Sequence, residues 1–133
     1  MSYEIINPED LGAPKGWNNG MLAPRNGRIL FVAGQAPSDE TGAVEAADFV
    51  TQFSLALTRA IRVVEEAGGK VEDIGRLTIF VSDMDAYRSS MRSLGAAYRA
   101  LMGLHYPAMS LVEVSRMVDD NAIVEIETTA VIP

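Results

Sequence analysis

From Asp48 onward the apolar residues fall three and four apart: Val50, Phe53, Leu57, Ile61 and Val64 stand among Thr51, Thr58, Arg59, Arg62, Glu65 and Glu66. That period describes one face of an α-helix, with Asp48 placed to cap its start and Gly68-Gly69 to stop it. A second stripe, Tyr87, Met91, Leu94, Tyr98 and Leu101, predicts a helix from about Met84 to Met102. Elsewhere the pattern shortens to strand-like runs. These are YEIIN (Tyr3 to Asn7), RILFVAG (Arg28 to Gly34), RLTIFVS (Arg76 to Ser82), AMSLVEV (Ala108 to Val114) and AIVEIETTAV (Ala122 to Val131).

The connections carry their own signals. PEDLGAPKGWNNGMLAPRNG, from Pro8 to Gly27, reads as loop with a brief extended piece at Met21-Leu22. The Asn26-Gly27 turn would fold that piece against the strand that begins at Arg28. Asp119-Asp120-Asn121 supplies a turn between the last two strands, which predicts an antiparallel hairpin. Arg76 to Val114 reads as a β-α-β crossover. The economical arrangement is an α+β fold, a mixed sheet with two helices on one face, in a single domain over 1–133. The other sheet face is then bare, yet RILFVAG and RLTIFVS are apolar on both alternating sets, so self-association is expected.

Composition narrows the chemistry. The 133 residues are 48% hydrophobic and 22% charged, an ordinary globular balance, with a net charge of −7. Basic residues are scattered, so nucleic acid and anionic membranes are not expected partners. The chain has no cysteine and one histidine, His105, which removes thiolate nucleophiles and Cys-ligated zinc and leaves a His-cluster metal site short of ligands. The opening MSYEIINPED has no basic start followed by an apolar core, and no apolar run approaches a membrane span; a cytoplasmic protein is the expectation. Gly68-Gly69 follows a helix and has no Lys-Ser/Thr partner, so a phosphate cradle is not supported.

Four stretches carry a family resemblance: VAGQAP (Val32 to Pro37), TIFVSDM (Thr78 to Met84), PAMSLVEV (Pro107 to Val114) and VEIE (Val124 to Glu127). Together they resemble the RidA / YjgF family, also labelled endoribonuclease L-PSP, in order from about Gly16 to Val131. The resemblance implies a chorismate-mutase-like α+β fold and a homotrimer whose sheets pack into a central barrel. It also implies small-molecule clefts between subunits, in which reactive enamines and imines are hydrolysed to a 2-oxo acid and ammonia without a cofactor.

In the family motif P-A-R-S an arginine pairs with the substrate carboxylate through two hydrogen bonds. Here that position is Met109, and the small polar residue two further on is Leu111. The glutamate that positions water corresponds to Glu125. The family's loop aromatic corresponds to Trp17, and its S-G-Q backbone to Ala33-Gly34-Gln35. Backbone groups near Gly34 and Ser110 would hold the substrate. Met109, Leu111, Trp17 and Ala33 all shift the cleft toward apolar. With each charge-assisted bond worth roughly 1.5–3 kcal/mol, loss of the clamp would cost on the order of 10² to 10⁴ on a small imino acid. The expectation is an imine or enamine hydrolase with a less acidic or bulkier substrate; a small-molecule binding or regulatory protein without turnover is the alternative.

Each residue also has a plainer role open to it. Met109 can be a core or interface side chain, and Trp17 can anchor its loop. Glu125 and Glu127 share a strand face that can be simply solvated, and Glu113 would lie nearby across the expected hairpin. His105 is the one imidazole available as a base. Arg25, Arg28 or Arg116 from a neighbouring copy would be the substitutes for the missing cation.

Overall fold

The computed structural model describes residues 2–133. A two-stranded antiparallel ribbon comes first, β1 (Glu4–Ile6) against β2 (Gly20–Leu22). The main sheet contains β3 (Arg28–Gln35), β4 (Ile74–Val81), β5 (Ala108–Glu113) and β6 (Val124–Ile132) in the order β3-β6-β4-β5. β5 runs parallel to β4, while β6 is antiparallel to both β3 and β4. The helices α1 (Phe49–Glu66), α2 (Met84–Ser89) and α3 (Met91–Met102) complete a mixed α+β architecture.

α1 forms as its period requires. The Asp48 carboxylate accepts the Thr51 N–H at 2.8 Å, capping the start, and Gly68, with φ of 88°, turns the chain out of the helix. Phe53, Ala56, Leu57, Ala60 and Val64 are buried against Val32, Leu77, Ile79, Val81, Ile126 and Ala130 of the sheet. Gln52 joins this helix to the loops around it. Its Nε2 donates to the Asn121 and Glu45 carbonyls at 2.7 and 3.2 Å, and its Oε1 accepts the Ile123 N–H at 2.8 Å.

Three expectations are corrected. The last two strands are not a hairpin: β4 lies between β5 and β6. Asp119 does make the turn, accepting from Asn121 N and Ala122 N, but that turn carries the chain past β4. β6 is the strand whose core-facing residues are continuously buried, so it takes an inner position, whereas β5 is largely exposed and takes the edge. Met21-Leu22 pairs with β1, not with β3, whose one partner in the sheet is β6. The second helix is broken at Ser90, whose φ of −105° and ψ of 4° leave the helical range and produce α2 and α3. The β-α-β crossover is present, closed by the parallel β4–β5 pair.

The helices cover one sheet face. On the other, Phe31, Ile29 and Val112 remain 79%, 64% and 46% exposed. At one end of that face the N-terminal segment intrudes: the Tyr3 hydroxyl donates to the Asp73 carbonyl at 2.7 Å and lies so close to Gly75 that a Cβ there would stand 2.7 Å from it. Among the described residues no helix is long and apolar enough to cross a membrane.

Candidate functional site

Register decides which side of the sheet each candidate residue occupies. Met109 pairs with Leu77 and Leu111 with Ile79, both on the helix-covered face. They form the floor of a cavity of about 430 Å³, walled by Tyr87 of α2, by Met91, Leu94 and Tyr98 of α3, and by Tyr106 ahead of β5. The stripe expected to make α3 a core helix thus also lines a hollow, and Met91 is 54% exposed there.

The walls are held by specific contacts. Tyr98 and Tyr106 stack with centroids 5.2 Å apart and planes 11° from parallel. The Tyr98 hydroxyl donates to the His105 carbonyl at 2.6 Å, and burial above all, with the neighbouring Tyr106 phenol, raises its ionisation well beyond the ordinary tyrosine range. Asn18 ties the early loop to the entry of β5, donating from Nδ2 to the Tyr106 carbonyl at 2.6 Å and from its backbone to the Pro107 carbonyl at 3.2 Å. That tether brings Lys15 and Gly16 to the rim. Trp17 is beside them but does not line the cavity; it is exposed, with its Nε1 donating to Asn19 Oδ1 at 3.4 Å.

Glu125 lies on the opposite face, in register with Phe80 of β4. Between the pairs Val32–Thr128 and Gln35–Ile126, two residues of β3, Ala33 and Gly34, oppose the single residue Glu127. This bulge brings the Gly34 backbone against the Glu125 side chain, with 3.0 Å between Glu125 Oε2 and the position a Cβ would take. Glu125 also borders a smaller hollow of about 250 Å³ between Ser38 and Val44 on one side and Met117 and Val118 on the other. Ser110 shares the open face, in register with Thr78 and so with Glu127.

The sheet therefore separates these candidate residues into two pairs, Met109 with Leu111 on one face and Gly34 with Glu125 on the other. Glu113 belongs to neither: β4 keeps it from β6, and its Oε1 accepts the Met84 N–H at 3.1 Å at the start of α2. His105 Nε2 lies 2.7 Å from the Ile74 carbonyl, which as an acceptor requires that nitrogen to carry the proton; the ring ties the α3–β5 connection to β4. Arg25 and Arg28 are exposed around the start of β3, and Arg116 faces Asp120 at 3.7 Å; none lines the cavity. The cations that do are Lys15 and Arg99, neither of which belongs to the family motifs. The signal for Arg99 in the sequence is the four-residue step from Gly95 to Arg99 beside the apolar stripe. Among the described residues no group of His, Cys, Asp and Glu is arranged to hold a metal.

Residues 10–132 match the sequence profile of the endoribonuclease L-PSP family. A RutC family protein of Pyrococcus abyssi is 31% identical, the match covering 98% of each chain. The 2-iminobutanoate/2-iminopropanoate deaminase of Salmonella typhimurium is 39% identical over 79% of this chain and 80% of its own. The crystal structure of YyfB from Yersinia pestis, a Rid family protein of unknown function, superposes with a TM-score of 0.83 at 27% identity, covering 99% of this chain and 100% of that one.

Proposed function

The chain belongs to the endoribonuclease L-PSP family, the RidA/YjgF proteins, and from that membership we propose that it hydrolyses reactive imines or enamines to carbonyl compounds and ammonia. The observation that carries the reading is the placement of Glu125 against the Gly34 backbone, on the sheet face that the helices leave open. A water held by this carboxylate attacks the imine carbon. Glu125 accepts the water proton and passes it to nitrogen, giving a carbinolamine; the carboxylate then takes the hydroxyl proton and delivers it to the amine as the C–N bond breaks, so that ammonia leaves and the carbonyl forms. No cofactor enters this sequence.

The two pairs become one cleft when a second copy brings its Gly34–Glu125 face to the Met109 cavity of the first. Burial of exposed Phe31, Ile29 and Val112 favours that association, each contributing, in proportion to its exposure, a part of the roughly 1.5–3 kcal/mol that burying a whole apolar side chain gives. A homotrimer, with one cleft per interface, is the assembly proposed. Met109 and Leu111 make the cleft apolar where a 2-imino acid would present its carboxylate, so the preferred substrate is bulkier or less acidic than 2-iminopropanoate. No RNA substrate is proposed, since a chain of net charge −7 lacks the concentrated basic surface that phosphates require.

The test is release of ammonia and carbonyl product from imines generated in situ by an amino acid oxidase, with wild type and Glu125→Gln compared. A loss of about 10²-fold or more is expected in the variant. Wild type that binds such compounds but turns none over would instead establish the non-catalytic binding role, which the uncharged Met109 floor favours.

A further inference from the structure

Among the described residues, the cavity over Met109 has only positive charge at its border. Its charged side chains, among the described residues, are the Lys15 ammonium and the Arg99 guanidinium; the remaining walls are apolar residues, glycine and the tyrosines Tyr87, Tyr98 and Tyr106. In a chain carrying −7 overall, that is a local reversal of sign. Neither cation is neutralised: among the described residues the ion pairs are Arg62–Glu66 and Arg116–Asp120, both well exposed. Each is also placed by its surroundings. Asn18 ties the Lys15 loop to Tyr106 and Pro107, and Gly95 leaves space for Arg99, whose Nη1 lies 3.4 Å from where a Cβ at 95 would stand.

We propose that this cavity takes the side chain of an aromatic or large branched 2-imino or 2-oxo acid, and that Lys15 and Arg99 receive at the rim the carboxylate that Met109 cannot bind. The proposal rests on the imine-hydrolysis reading for its reaction but stands on the cavity for its ligand. A volume of about 430 Å³ falls within the roughly 300–1,000 Å³ of pockets that enclose ring-bearing molecules, far more than a three-carbon acid fills. Aromatic walls favour a ring through offset or edge contacts. The carboxylate is then recognised from the rim, by side chains on α3 and the early loop, rather than from the floor on β5.

The experiment titrates the purified protein with 3-phenylpropanoate, its uncharged amide, and propanoate, followed by calorimetry and by Trp17 fluorescence. The expected order is phenylpropanoate tightest, by about tenfold over either competitor, as one added charge-assisted contact and one buried ring each imply. Lys15→Gln with Arg99→Gln should erase the preference for acid over amide while leaving the amide's affinity unchanged. Both positions are exposed, so circular dichroism should show the variants folded. Equal affinity for acid and amide in wild type, or an unchanged acid preference in the double variant, overturns the proposal. Preserved binding with no turnover of any imine leaves it supported and removes the catalytic reading instead.

Discussion

The carboxylate of Glu125 and the backbone of Gly34 are in direct apposition: a Cβ on residue 34 would lie 3.0 Å from both Cδ and Oε2 of Glu125. Any side chain at 34 must push the carboxylate away. Because the atoms displaced are the far end of a flexible side chain, Gly34→Ala should fold with a melting temperature within a few degrees of wild type. Its kcat on the best imine should fall by about tenfold or more, the effect of misplacing a water-positioning group. Thermal melts and steady-state kinetics check this, and an unchanged kcat would show that Glu125 need not sit where the structure puts it.

Placing an arginine on the cavity floor should exchange one specificity for another. Met109→Arg supplies a fork for a small carboxylate and also occupies space that a ring would use. Turnover of 2-iminopropanoate should rise by on the order of 10²-fold, the lower end of what a bidentate clamp contributes, and that of a phenyl-bearing imino acid should fall. The ratio of kcat/KM values for the two substrates is the measurement. A wild type already as fast on 2-iminopropanoate as the variant would contradict the reading of Met109.

Much of this arrangement was legible in the chain, and where it was not the reasons are physical. Helical period and caps identify α1 because both are local: Asp48 meets Thr51, three residues on. The α+β class followed from the same local patterns. Strand neighbours were not local. Ten residues from Val114 to Ile123 with an Asp-Asp-Asn turn are equally good for a hairpin or for a path past β4, and only burial along β6 separates the two. Motif matching located Met109, Leu111, Gly34 and Glu125, but it could not show that the sheet divides them into two pairs. Lys15 and Arg99 escaped it because the family motifs do not include them.

Gln52 offers a stability test away from the cleft. Its amide satisfies two carbonyls and one N–H in a buried setting. Gln52→Leu keeps the volume and leaves those groups unpaired, so urea unfolding should show a loss of about 2–4 kcal/mol. A loss below about 0.5 kcal/mol, the scale of a surface change, would mean that water replaces the amide without cost.

Tyr98 predicts an alkaline limit. Its folded-state ionisation is raised, chiefly by burial, above the value of about 10 that an unfolded tyrosine shows. The folded state therefore holds the phenolic proton more tightly, and the resulting stability is fully present below pH ~10 and is lost as pH climbs toward the raised value. Denaturant midpoints from about pH 8 to 11 should fall more steeply for wild type than for Tyr98→Phe, which has no proton to lose. Parallel profiles would contradict the assignment.

Complementation between two inactive variants tests the shared cleft most directly. Glu125→Gln leaves the Met109 cavity intact, while Gly95→Phe fills that cavity and leaves Glu125 untouched. If each cleft takes its cavity from one copy and its glutamate from another, oligomers refolded from an equal mixture should recover imine hydrolysis to about a quarter of the wild-type level, the fraction of interfaces that unite two intact halves. Mixed oligomers no more active than either parent would contradict the account and place the whole site within one chain.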